Sequence, residues 1–141
     1  MSRRGKVFTW LIVLATAATG LGQAWMRYWV DPVDPFSAYN HPWQGTTEAL
    51  HALLGPLLAL GMGMVLAAHA RPKWHAASSA RIARISGAVV ATLVAVLVLS
   101  GAWLNAWPPV DGKLLNWTHG IAGAAFALAF LGHAIGAKRA K

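Results

Sequence analysis

Asn116-Trp-Thr-His119-Gly-Ile-Ala-Gly-Ala-Ala-Phe-Ala-Leu-Ala-Phe-Leu-Gly-His133 is an apolar stretch carrying two histidines fourteen residues apart. At about 100° and 1.5 Å per residue, their side chains fall within roughly 40° of one another on a helix, about 21 Å apart along its axis. They share one face at opposite depths. Upstream, His51 and His69 are eighteen residues apart, or five full turns, and so share a face about 27 Å apart. Two helices that each carry a histidine near either end can together build two sites of two histidines each.

The composition says where such helices belong. The 141 residues leave room for a single domain, 1–141, in which 57% of the residues are hydrophobic and 11% are charged. An average soluble protein has roughly 25% charged residues, so this is a membrane composition. The net charge of +8 comes from short basic clusters between long apolar runs rather than from a basic stripe on a folded surface. That pattern excludes nucleic acid as the expected partner and leaves membrane lipid as the surroundings. With no cysteine, the chain cannot form a disulfide, ligate an iron-sulfur cluster through thiolates or attach a c-type haem covalently.

Four segments are long and apolar enough to cross a hydrocarbon core of roughly 20 residues: about 7–30, 46–70, 85–107 and 114–136. The first follows a basic start and contains a cleavage-like Ala15-Thr16-Ala17, but its apolar run continues through Leu21, Trp25 and Met26, so it reads as a span rather than a removed signal. The linker at 31–42 holds three prolines and two aspartates, which prevent a regular helix. Thr46 and Thr47 read as the N-cap of the second span, with Glu48 in its first turn, and Arg71-Pro72-Lys73 ends it. Pro108 and Pro109 close the third span.

Ten of the twelve Lys and Arg residues fall at the N-terminus, between the second and third spans, and at the C-terminus. By the positive-inside rule these segments are cytoplasmic. The prediction is therefore an all-α integral membrane four-helix bundle, N-in and C-in, in a bacterial-type cytoplasmic (inner) membrane. Arg27 and Lys113 lie on the outer side with all four acids, Asp31, Asp34, Glu48 and Asp111. Trp10 and Trp74 fall near the inner boundary and the other six tryptophans toward the outer one, the pattern of an aromatic belt.

In this topology the second and fourth spans run in the same direction. His51 and His119 then lie near the outer leaflet, and His69 and His133 near the inner one. Opposed imidazoles on two helices of a bundle can serve as axial ligands of a haem iron, so the four histidines are candidate ligands of two non-covalent b haems. A histidine inside a membrane is costly enough to suggest function, although an interhelical hydrogen bond to Ser, Thr or backbone is the competing explanation. For the inner pair, eighteen residues on one helix must match fourteen on the other, a mismatch of about 6 Å in rise that tilt absorbs in part. His75, in the connector, is an alternative to His69. Glycines in every span, among them Gly20, Gly22, Gly55, Gly61, Gly63, Gly87, Gly101, Gly120, Gly123 and Gly132, clear backbone for a flat macrocycle or serve plain helix packing. Arg27, Lys113, Arg71, Lys73 and Arg84 are candidate partners of haem propionates.

Four short spans with His51, His69, His119 and His133 resemble the small membrane-bound di-haem cytochromes b, including the cytochrome b subunits of respiratory hydrogenases and formate dehydrogenases. The resemblance covers all four spans but rests on a few histidines. In the dehydrogenase-associated members the last helix carries two haem histidines at the separation of His119 and His133, and other ligands come from the first and second helices. The first span here has no histidine, so the second and fourth must supply all four ligands. The resemblance implies electron transfer across the membrane between a quinone pool and a partner protein.

Nothing in the chain supplies a dehydrogenase active site, so the expectation is an electron-transfer protein or a subunit of an oxidoreductase complex. Asp31, Asp34, His41 and Glu48 form the best outer-side candidate for exchanging quinol protons. The outer acids also suit a basic docking surface, such as a periplasmic c-type cytochrome or another redox subunit. Two alternatives bind no haem: a metal-binding or transport subunit using the histidines for Zn, Cu or Ni, and a membrane anchor for a larger complex.

Overall fold

The structure, a computed structural model, describes residues 2–32, 34–74, 81–107 and 113–139. Helix α1 is Arg3–Tyr28, with Ser2 as its N-cap accepting from the Gly5 N–H at 3.2 Å. Helix α2, Gln44–Val65, runs on through a π-helical turn, Leu66–Ala70, into a single turn, α3, Arg71–Trp74. Helices α4, Arg81–Ala106, and α5, Lys113–Arg139, complete the chain. Among the described residues every regular element is helical, and α1, α2 with its π-turn, α4 and α5 are each long and apolar enough to span a membrane. The four predicted spans are all present, with ends displaced by a few residues.

The start of α2 differs from expectation. Its N-cap is Trp43, which supplies no side-chain cap, and Thr47 instead donates its hydroxyl back to the Trp43 carbonyl at 2.8 Å. Glu48 accordingly lies beyond the first turn. The cause is the preceding loop. Gln44 is buried and its amide oxygen accepts from the Asn40 N–H at 3.0 Å, while His41 Nδ1 accepts from the Trp43 N–H at 3.1 Å, so the chain is already wound before the threonines. The proline-rich linker is irregular, as predicted. Asp34 Oδ1 closes a turn onto the Phe36 N–H at 2.9 Å, and Asn40 Nδ2 donates to the Arg27 carbonyl at 3.0 Å, satisfying one of the open carbonyls at the end of α1.

Side-chain contacts fix the directions of the helices. Thr19, late in α1, meets His51, early in α2; Ser100, late in α4, meets His119, early in α5; and Ser86, early in α4, meets His133, late in α5. Both hairpins are therefore antiparallel. Around the bundle α1 neighbours α2, α2 neighbours α4, α4 neighbours α5, and α5 neighbours α1, which puts α2 and α5 at opposite corners. Val13, Leu58, Val90, Val94, Leu97, Ala122 and Phe126 form the core. Leu53, Leu60, Val89, Leu99, Ile121 and Leu128 are exposed, as suits side chains facing lipid. Phe126, 4% exposed, lies seven residues from each of His119 and His133, so the core is an apolar layer between the two histidine levels.

Candidate functional site

His51 and His119 reach each other from the two diagonal helices. Their ring centroids are 6.1 Å apart and the ring planes stand at 87°. Both rings are half-buried. Each is also held from a neighbouring helix: Thr19 Oγ1 lies 3.0 Å from His51 Nδ1, and Ser100 Oγ lies 2.8 Å from His119 Nδ1. At the other level, Ser86 Oγ lies 2.7 Å from His133 Nδ1.

The direction of these hydrogen bonds follows from counting protons. A hydroxyl has one hydrogen to give. Thr19 donates to the Ala15 carbonyl at 2.9 Å, Ser100 to the Val96 carbonyl at 2.6 Å and Ser86 to the Ala83 carbonyl at 3.2 Å. Such back-bonding to the preceding turn is the usual resting place of a hydroxyl in a helix interior. Each hydroxyl oxygen is then placed to accept from its histidine, the arrangement that goes with a proton on Nδ1. In that tautomer Nε2 carries the lone pair.

Beside each hydroxyl stands a glycine on which the imidazole rests. A Cβ added at Gly20 would lie 2.9 Å from His51 Cε1, one at Gly101 3.1 Å from His119 Cε1, and one at Gly87 3.6 Å from His133 Cε1. These three glycines therefore lie against imidazoles of the neighbouring helix. Gly61 packs near Phe8 and Gly123 near Leu97, while Gly22, Gly55, Gly63, Gly120 and Gly132 have nothing within 4 Å of an added Cβ. Thr19-Gly20, Ser86-Gly87 and Ser100-Gly101 are the three Ser/Thr-Gly dipeptides of the chain. Fourteen residues separate Ser86 from Ser100, and fourteen separate His119 from His133, so one antiparallel register satisfies both contacts. That matched spacing is the sequence signal from which these hydroxyls could have been found.

His69 occupies the π-turn Leu66–Ala70 and is half-buried. A π-turn takes up more residues per turn than an α-turn, which shortens the rise between His51 and His69 and reduces their mismatch with the fourteen-residue spacing on α5. His75 lies outside the described residues. Arg27, Arg71, Arg84 and Lys113 are exposed. The predicted outer acid cluster does not gather into one site. Asp31, Asp34 and Glu48 are exposed, and His41 ties back to its own loop and sits 6.0 Å from the Trp25 ring. Among the described residues no three His, Asp or Glu side chains converge to hold a metal ion.

Among the described residues the donor set therefore offers one opposed pair of imidazoles, His51 and His119, rather than a three- or four-ligand cage. Two imidazoles bound through nitrogen at about 2.0 Å on opposite sides of one metal ion have ring centroids about 6 Å apart, close to the 6.1 Å between His51 and His119. Thr16, one turn before Gly20, keeps a buried hydroxyl with no hydrogen-bond partner beside this level. Comparison with protein-family models, curated proteins and solved structures finds no match.

Proposed function

We propose that this chain is a membrane b-type cytochrome that holds two haems non-covalently between α2 and α5 and carries electrons across the membrane between a quinone pool and a partner redox protein. One observation carries the reading. His51 and His119 converge to 6.1 Å from opposite corners of the bundle, each with a hydroxyl of a neighbouring helix at its Nδ1. A metal ion held between them would take a lone pair from each imidazole. Ordinary interhelical hydrogen bonding accounts for each hydroxyl contact but not for the meeting of the two imidazoles.

In this reading His51 and His119 hold the outer haem and His69 and His133 the inner one. Haem iron held by two imidazoles supplies a one-electron couple whose potential the surrounding residues tune. The fourteen residues from His119 to His133 would set the two haem sites about 21 Å apart along the bundle axis. The core around Phe126 excludes water between the levels. The charge bias of the connecting segments supports an N-in, C-in orientation in a bacterial-type inner membrane, with a periplasmic c-type cytochrome or other redox subunit docking against the outer acids.

The test is a reduced-minus-oxidised optical spectrum of the purified chain with a pyridine haemochrome count. The expected result is a b-type spectrum at two haems per chain. A well-folded preparation supplied with haem that remains colourless would overturn the proposal and favour a membrane anchor or a metal-binding subunit.

A further inference from the structure

We infer that Thr19-Gly20, Ser100-Gly101 and Ser86-Gly87 are positioning pairs that fix the tautomer and the ring plane of His51, His119 and His133, so that each offers Nε2 as a ligand before any metal arrives. The inference deepens the haem reading and takes its purpose from it, but the positioning itself is a property of the chain alone.

Three observations converge. Each pair is built in the same order, a hydroxyl whose oxygen meets Nδ1 followed by a glycine whose Cα faces the Cε1 edge of the same ring. A hydroxyl already given to the preceding turn favours an Nδ1–H, and at Gly20 and Gly101 the glycine lets the ring lie against the helix closer than a side chain would allow. The pairs also come from the helices that supply no proposed ligand. Ligands stand on α2 and α5, positioning pairs on α1 and α4, so each imidazole is gripped from the side by a neighbouring helix. Finally, the grips on His51 and His119 come from opposite corners of the bundle, and the two ring planes stand at 87°. Outer-sphere partners of this kind hold a ligating histidine in one tautomer and raise its basicity.

The experiment uses the full chain, labelled with ¹⁵N-histidine, in lipid nanodiscs, before and after loading with haem. In the haem-free chain, ¹⁵N shifts are expected to report the neutral Nδ1–H tautomer at His51, His119 and His133. Thr19→Val, Ser100→Ala and Ser86→Ala should each move only its own histidine toward the Nε2–H form. On loading, each should weaken haem binding roughly 10- to 100-fold, with Thr19→Ser and Ser100→Thr restoring it. Perpendicular axial imidazoles leave two iron d orbitals nearly degenerate, so the outer ferric haem should give a strongly anisotropic low-spin EPR signal that Thr19→Val or Ser100→Ala makes more rhombic. An Nε2–H tautomer in the unsubstituted chain, or tautomers and EPR signals indifferent to loss of the hydroxyls, would overturn the inference. A chain that takes up no haem yet shows hydroxyl-dependent Nδ1–H tautomers would refute the haem reading and uphold the positioning pairs.

Discussion

Gly20→Ala is the most discriminating single substitution, because the space it invades belongs to a proposed ligand. An added Cβ would stand 2.9 Å from His51 Cε1. Carbon atoms in ordinary contact sit at about 3.5 Å or more, so the ring must retreat by about 0.6 Å. That exceeds the ~0.5 Å within which a binding constellation must be held. Overpacking of this kind costs about 1–3 kcal/mol, and if the cost falls on the bound state it weakens haem binding roughly 5- to 150-fold, since 1.4 kcal/mol is a factor of ten. Gly22→Ala is the matched control. It lies two residues on, about 200° around the helix, where an added Cβ meets nothing within 4 Å. The same comparison grades the other seats: Gly101→Ala, at 3.1 Å, should weaken binding less than Gly20→Ala, and Gly87→Ala, at 3.6 Å, should be close to neutral. Equilibrium haem titration in nanodiscs, followed by absorbance, measures all four. Equal affinities for Gly20→Ala and Gly22→Ala, or an order that ignores these distances, would refute the reasoning.

Three further outcomes are expected. His51→Ala and His119→Ala should each lower the haemochrome count from two to one, as should His133→Ala, while His51→Ala combined with His133→Ala should leave none; a single histidine change that removes both haems would break the assignment into two levels. Because the chain has no native cysteine, Ala38→Cys, at an exposed position of the linker, should react with a membrane-impermeant thiol reagent on intact spheroplasts and Ser2→Cys only after permeabilisation; the opposite pattern would reverse the orientation. Asn40→Ala should remove the hydrogen bond to the Arg27 carbonyl and lower stability by about 0.5–1 kcal/mol in a thermal melt, with haem content unchanged; loss of haem on this change would mean that the linker shapes the site.

The spans were legible because the bilayer makes hydropathy nearly sufficient: α1, α2, α4 and α5 each contain the long apolar run that identified them. The meeting of His51 with His119 was also legible, since equal depth on two helices running the same way follows from counting residues. The helix ends were less so. Thr46 and Thr47 looked like a cap, but capping depends on where the preceding chain enters, and Gln44 and His41 set that through contacts no local pattern announces. The π-turn around His69 is likewise a choice between two hydrogen-bonding schemes of the same backbone. The hydroxyl partners were invisible for another reason. Thr19 and His51 are 32 residues apart and Ser86 and His133 are 47 apart, and a Ser/Thr-Gly dipeptide by itself means only a small, tightly packing surface. Only the repeated spacing of fourteen on both α4 and α5 links them.

The absence of a histidine from the first span takes on a different meaning once α1 is seen beside α2. The α1–α2 and α4–α5 hairpins repeat one plan, with a hydroxyl-glycine pair near the end of the first helix and a histidine near the start of the second. Two copies facing each other across the bundle place the histidines on one diagonal and their supports on the other. Helix α1 is therefore no bystander in the outer site, since it does for His51 what α4 does for His119. At the inner level the two hairpins part company. The α4–α5 register carries the plan down to Ser86, Gly87 and His133, whereas the register that sets Thr19 beside His51 would bring position 1 opposite His69, short of the Arg3 at which α1 begins. His69 itself stands in the π-turn Leu66–Ala70, where the winding of the backbone changes. The His51–His119 pair is thus set by a near-symmetric pair of hairpins, and the α4–α5 register sets His133 as well.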